Sequence, residues 1–135
     1  MEIFAPYSHA IAALALWAIL VCVLAALSTM GRTSENRCDC GKPKRDYGDV
    51  VYRRERAFMN AVEGAGPYVA LTLAAILSGA APFWVNLFAS VYLVARVGMA
   101  IVHIGTENQP VRSLFFMIGL FSLLAQAVVV LSAVF

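Results

Sequence analysis

Four long apolar runs divide the chain, over residues 10–30, 57–80, 82–104 and 114–135. Each is close to the roughly 20 helical residues that cross a hydrocarbon core. None alternates lipid-facing and lumen-facing positions, and all are about twice the length of a barrel strand. The pattern therefore predicts an all-α fold, an integral membrane four-helix bundle. Its helices extend over about residues 8–30, 55–80, 82–104 and 112–135, in a single domain spanning residues 1–135. The first run starts from Met1-Glu2 without a basic segment and is too long for the apolar core of a signal peptide, so it reads as a retained helix.

The polar positions sit mostly between the first two runs, in a loop over about residues 31–54. Eight of the ten Lys and Arg residues lie between Arg32 and Arg56. By the positive-inside rule this loop is cytoplasmic, together with the short connection over residues 105–111. Both termini and the turn over residues 79–82 then fall on the opposite side. A bacterial inner membrane and an endoplasmic-reticulum membrane fit this charge bias equally. Gly, Pro, Asp and Asn are mixed through residues 31–50 without a helical or strand period, which predicts an irregular, mobile segment. From Val51 the period becomes helical, so the second helix begins in water. Tyr68 and Trp84 have the character of interfacial anchors or of packed bundle residues.

Composition agrees with this division. At 61% hydrophobic and 13% charged residues, the chain is too apolar for an ordinary soluble domain. Its net charge of +2 acts as a topology signal, and no stacking motif accompanies the basic residues, so nucleic acid is not an expected partner. Cys22 reads as a small apolar residue within the first span. Cys38 and Cys40 form a Cys-Asp-Cys-Gly motif, but no further Cys pair or nearby His completes four zinc ligands, so no metal is expected. In a cytoplasmic loop the two thiols are expected to be reduced.

Candidate chemistry lies at the entrance to the second run. Arg56, Asn60 and Glu63 are spaced by four and seven residues, which puts them on one helical face. Polar groups are costly in lipid, so such a cluster faces a bundle interior, a cavity or a ligand. Hairpin geometry brings Arg96 and His103 of the third run, and Arg112 at the start of the fourth, to the same membrane depth. A pocket rich in Arg suits a small anionic or zwitterionic ligand, because guanidinium groups grip carboxylates bidentately. A purely structural arrangement remains open beside it: Glu63 and Arg96 as a neutralising interhelical pair, His103 as a hydrogen-bonded helix-end residue, and Arg112 as a snorkelling interfacial cation. A small transporter has little support from one interior Arg.

Residues 52–67, with Arg56-Ala57-x-x-Asn60-x-x-Glu63, resemble the helix-two motif of the membrane-associated proteins in eicosanoid and glutathione metabolism, the MAPEG family. Residues 92–113 resemble the helix-three and helix-four motif of that family. The spacing from Arg96 to His103 to Gln109-Pro110-Val111-Arg112-Ser113 is most similar to the microsomal prostaglandin E synthase and microsomal glutathione transferase branch. The resemblance implies a homotrimer of four-helix subunits with glutathione bound between neighbours near the cytoplasmic face. By carry-over, Arg56, Asn60 and Glu63 contact glutathione, with Arg96 and His103 beside them. Arg112 lies near the sulfur, Ser113 is its partner, and Arg32 is the nearest counterpart of a family Arg on helix one. The implied activity is a glutathione-dependent transferase or peroxidase acting on lipophilic electrophiles or lipid hydroperoxides that enter from the membrane. A non-catalytic lipid-binding or scaffold protein of the same fold is the alternative. His103 stands where close relatives place a Tyr, and Met59 and Met99 occupy positions that are polar in the prostaglandin-synthase branch. A prostaglandin isomerase is therefore not implied.

Overall fold

The computed structural model describes residues 2–135. A short 3-10 helix, Glu2–Tyr7, leads into α1 (Ser8–Thr29), followed by α2 (Val50–Leu77), α3 (Pro82–Gly105) and α4 (Gln109–Val134). All four long helices have the length and apolarity to cross a membrane. Their starts follow local chemistry. The Asp49 carboxylate accepts from Val51 N at 2.8 Å to open α2, and Asn108 Oδ1 accepts from Val111 N at 3.2 Å to open α4. Pro82 occupies the first turn of α3, where a missing N–H costs nothing. Gly79, at φ +68°, turns the chain between α2 and α3. Helix α2 runs on through Pro67, which has no N–H to offer the carbonyl of Glu63.

Small residues set the spacing of the bundle: Ala10, Ala57, Ala75 and Ala89 are each at most 1% exposed and let the backbones approach closely. The space left between α1, α2 and α3 is filled by three aromatic rings. Tyr68 and Tyr92 stack at 4.2 Å between centroids, and Trp17 packs against both, at 5.5 and 5.4 Å. The buried hydroxyls find backbone acceptors: Tyr68 donates to Ala89 O at 3.2 Å and Tyr92 to Gly64 O at 3.1 Å. Tyr68 is thus a bundle residue, whereas Trp84 is largely exposed and packs against Phe83 and Phe88. Between α2 and α4, Gln126 Nε2 donates to Thr72 Oγ1 at 3.1 Å, a buried bond in an apolar surround.

The two ends of the bundle are defined by long-range bonds. At one end Tyr7 Oη donates to Ala80 O at 2.7 Å, and Asn86 ties Pro6 O and Ala10 N to α3. The N-terminus and the α2–α3 turn therefore share an end. At the other end Arg53 donates to Ile104 O and faces Glu107 at 3.7 Å, joining the long loop to the α3–α4 connection.

That loop departs from the sequence expectation in two ways. Residues 36–44 form a small hairpin-like excursion: Lys44 N donates to Asn36 O and Cys38 N to Lys42 O, both at 2.8 Å, and Gly41 at φ +80° makes the bend. Arg32 anchors it, donating to Ser28 O at 2.8 Å and to Gly41 O at 3.3 Å. Secondly, Cys38 and Cys40 are joined as a disulfide rather than held as two thiols. The tight bend brings the two side chains to the same edge of the turn.

Candidate functional site

At the loop end of the bundle, the first turns of α2 form one wall of a cavity of about 760 Å³. Tyr52, Glu55, Arg56 and Met59 line it, at the i, i+3, i+4 and i+7 spacing of one helical face. The hairpin supplies the opposite wall with the Cys38–Cys40 pair, Lys42, Lys44 and Arg45. Four cations thus face one carboxylate, and that carboxylate is engaged. Glu55 accepts from Arg32 Nη2 at 2.6 Å and lies 3.9 Å from Lys42 Nζ. The cavity is therefore electropositive and suited to an anion.

Deeper along α2, Asn60 Oδ1 accepts from Arg96 Nη1 at 2.9 Å. The guanidinium of Arg96 lies 5.0 Å from the Tyr92 ring centroid and 5.2 Å from that of Phe116, a cation–π sandwich that offsets part of its desolvation. Room for it depends on two glycines: a Cβ on Gly64 would overlap Tyr92 Oη, and one on Gly119 would meet Arg96 Nε at 3.4 Å. Arg96 Nε itself has no hydrogen-bond partner. Asn60, rather than Glu63, is thus the partner of Arg96. Glu63 is exposed on the outward face of α2 and makes no ion pair or hydrogen bond among the described residues.

A third group surrounds Tyr47 of the loop. Arg112 Nη1 donates to Tyr47 Oη at 2.8 Å, and the Tyr47 ring stacks on His103 at 5.8 Å and meets Tyr52 edge-on at 6.3 Å. His103 is 1% exposed, and both of its ring nitrogens lack partners. The positive charges of Arg112, Arg56 and Arg53 all act on its imidazole. Ser113 is exposed beside Arg112.

The residues singled out from sequence fall into three neighbourhoods: Arg32 and Arg56 around the cavity, Asn60 with Arg96, and His103 with Arg112. Glu63 and Ser113 point outward from all three. Tyr47, Tyr52 and Glu55 were not anticipated. Glu55 lies in a run of four charged residues, 53–56, and the helical period there does not show which of them turns toward the loop. Tyr47 lies in a segment without periodicity, where only the occurrence of an aromatic among polar residues could have drawn notice.

Four membrane-capable helices, with most of the charged side chains gathered toward one end, define an integral multi-pass membrane protein. The model of the MAPEG family matches residues 7–132, and the chain belongs to that family, which includes glutathione transferases, peroxidases and related enzymes. No curated protein matches the chain.

Proposed function

We propose that this protein is a membrane-bound, glutathione-dependent transferase or peroxidase of the microsomal prostaglandin E synthase and glutathione transferase branch, working as a homotrimer. The observation that carries this is the electropositive cavity around Arg56, whose single carboxylate is already paired with Arg32. Glutathione fits that donor set: it brings two carboxylates to guanidinium and ammonium groups, in a volume within the range of roughly 300–1,000 Å³ usual for small-molecule sites. Bound there, it supplies a nucleophilic sulfur.

The chain's own residues divide the remaining work. Arg56 takes a carboxylate bidentately, and Arg32 holds Glu55 and the hairpin in place around it. Asn60 and Arg96 present a polar floor at the depth where the helices become apolar. Glu63 offers a carboxylate to the ligand's ammonium. Arg112 favours ionised sulfur: an ordinary thiol titrates near 8.5, and an adjacent guanidinium lowers that value. Ser113 adds a hydroxyl beside it, and His103 remains free to bond through either nitrogen. Arg112 does not line the Arg56 cavity of its own chain. Glu63 likewise faces away from its own bundle, where a lone carboxylate is costly in lipid. Both facts favour a site completed by a neighbouring copy, with the basic loop on the cytoplasmic side and lipophilic substrates arriving through the bilayer.

The test is ultraviolet difference absorbance of the detergent-solubilised protein on adding glutathione at neutral pH, wild type against Arg112→Ala. A thiolate band in wild type that is absent from Arg112→Ala is the expected result. If neither protein shows the band and calorimetry detects no glutathione binding, the non-catalytic lipid-binding alternative takes its place.

A further inference from the structure

We infer that the Cys38–Cys40 pair is a redox-active disulfide that exchanges with a small anionic thiol held in the electropositive cavity, making this protein a thiol–disulfide oxidoreductase as well. The inference rests in part on the glutathione reading above. The two cysteines line the same cavity as Arg56, Lys42 and Lys44, so an anion drawn in by those cations is placed against the S–S bond.

A structural role explains the bond poorly. Its partners are two residues apart, and closing so short a loop removes little chain entropy from the unfolded state. The bend is already held by other means: Gly41 N donates to Cys38 O at 2.8 Å, Cys38 N to Lys42 O at 2.8 Å, and Arg32 to Gly41 O at 3.3 Å. These bonds do not depend on the sulfurs, so the pair stays adjacent when opened and can close again. The loop and the first turns of α2 together carry eight of the chain's ten Lys and Arg, the signature of a cytoplasmic segment. In that reducing compartment a disulfide is typically catalytic or redox-sensing rather than structural.

The chemistry balances with the thiol as reductant. An incoming thiolate attacks Sγ of Cys40, the more exposed of the two residues. The Cys38–Cys40 bond breaks, a mixed disulfide forms on Cys40, and Cys38 leaves as a thiolate in the field of the surrounding cations. A second thiolate then attacks the ligand sulfur of the mixed disulfide. This releases the oxidised, disulfide-linked ligand and leaves Cys38 and Cys40 as a dithiol, after two electrons have passed from two thiols to the protein. The reverse sequence reduces a small disulfide.

The experiment uses the full chain in detergent, incubated with mixtures of reduced and oxidised glutathione, acid-quenched and alkylated so that mass spectrometry counts free thiols. Glutathione diethyl ester, which keeps the thiol but masks both carboxylates, runs in parallel. Calorimetry of glutathione on the wild-type protein is measured alongside. The expected result is reversible opening of the pair, faster with glutathione than with its ester by about tenfold and slowed by salt. Cys38→Ser is expected to trap glutathione on Cys40. If glutathione binds but the pair stays closed in excess reduced glutathione, the exchange is refuted and the glutathione reading stands. Equal rates for the acid and the ester, with no binding by calorimetry, overturn both.

Discussion

Gly64 shows how tightly the polar interior of this bundle is drawn. Its missing side chain lets Tyr92 Oη reach the Gly64 carbonyl, and it clears the guanidinium of Arg96, which a Cβ would meet at 3.1 Å. Gly64→Ala must push both aside and is expected to cost about 1–3 kcal/mol. Gly105→Ala, where nothing lies within 4 Å, should stay within about 0.5 kcal/mol of wild type. Thermal unfolding in detergent compares the two. Asn60 admits a sharper test. Removing its oxygen in Asn60→Ala leaves Arg96 without its side-chain oxygen acceptor and should cost about 1.5–3 kcal/mol, the worth of a bond to a charged group, whereas Asn60→Asp keeps the acceptor and should retain most of the stability. Sequence showed that Arg96 needed a partner but not which one. Asn60 and Glu63 lie within one turn of each other on α2, and only the crossing of α2 and α3 decides which reaches the guanidinium.

At the scale of elements, the four spans were legible because each is a predominantly apolar run of bilayer length, bounded by Pro, Gly or charge. The hairpin of residues 36–44 was not. Its order comes from contacts that no periodicity encodes: one positive-φ glycine, a few backbone bonds and an arginine reaching from the end of α1. The disulfide was missed for a related reason, since compartment alone argued for free thiols. The anchoring role of Arg32 depends on Glu55, which holds its guanidinium at 2.6 Å while leaving other donors for the hairpin. Glu55→Gln should therefore loosen the loop without disturbing the helices. Trypsin, which cuts after Arg37, Lys44 and Arg45, is expected to cleave the native variant about tenfold faster than wild type, as loss of about 1.5 kcal/mol predicts. Helical circular dichroism should be unchanged, and equal cleavage rates would show that the hairpin is held independently of α2.

Over the whole molecule, polarity is arranged along the bundle axis: a mostly apolar end where Tyr7 and Asn86 close the N-terminus onto α3, and a basic end where Arg53 joins both loops. Glu63 breaks this order. It lies thirteen residues into α2, about 20 Å along the axis from its start, on the outward face and beside the exposed Gly66 and Pro67. A carboxylate so placed cannot be left to lipid, and no cation of its own chain among the described residues pairs with it. If its role is to receive the ammonium of glutathione at a subunit junction, Glu63→Gln removes one charge-assisted bond and leaves the packing surface almost isosteric. Glutathione affinity should then fall about tenfold or more, while multi-angle light scattering still reports the wild-type oligomer. If Glu63 instead pairs with a cation of a neighbouring copy, the same variant loses the oligomer first, because the stranded cation destabilises the junction whether or not ligand is present. Calorimetry and scattering on one preparation separate the two, since ligand binding and assembly move independently in the first case and together in the second.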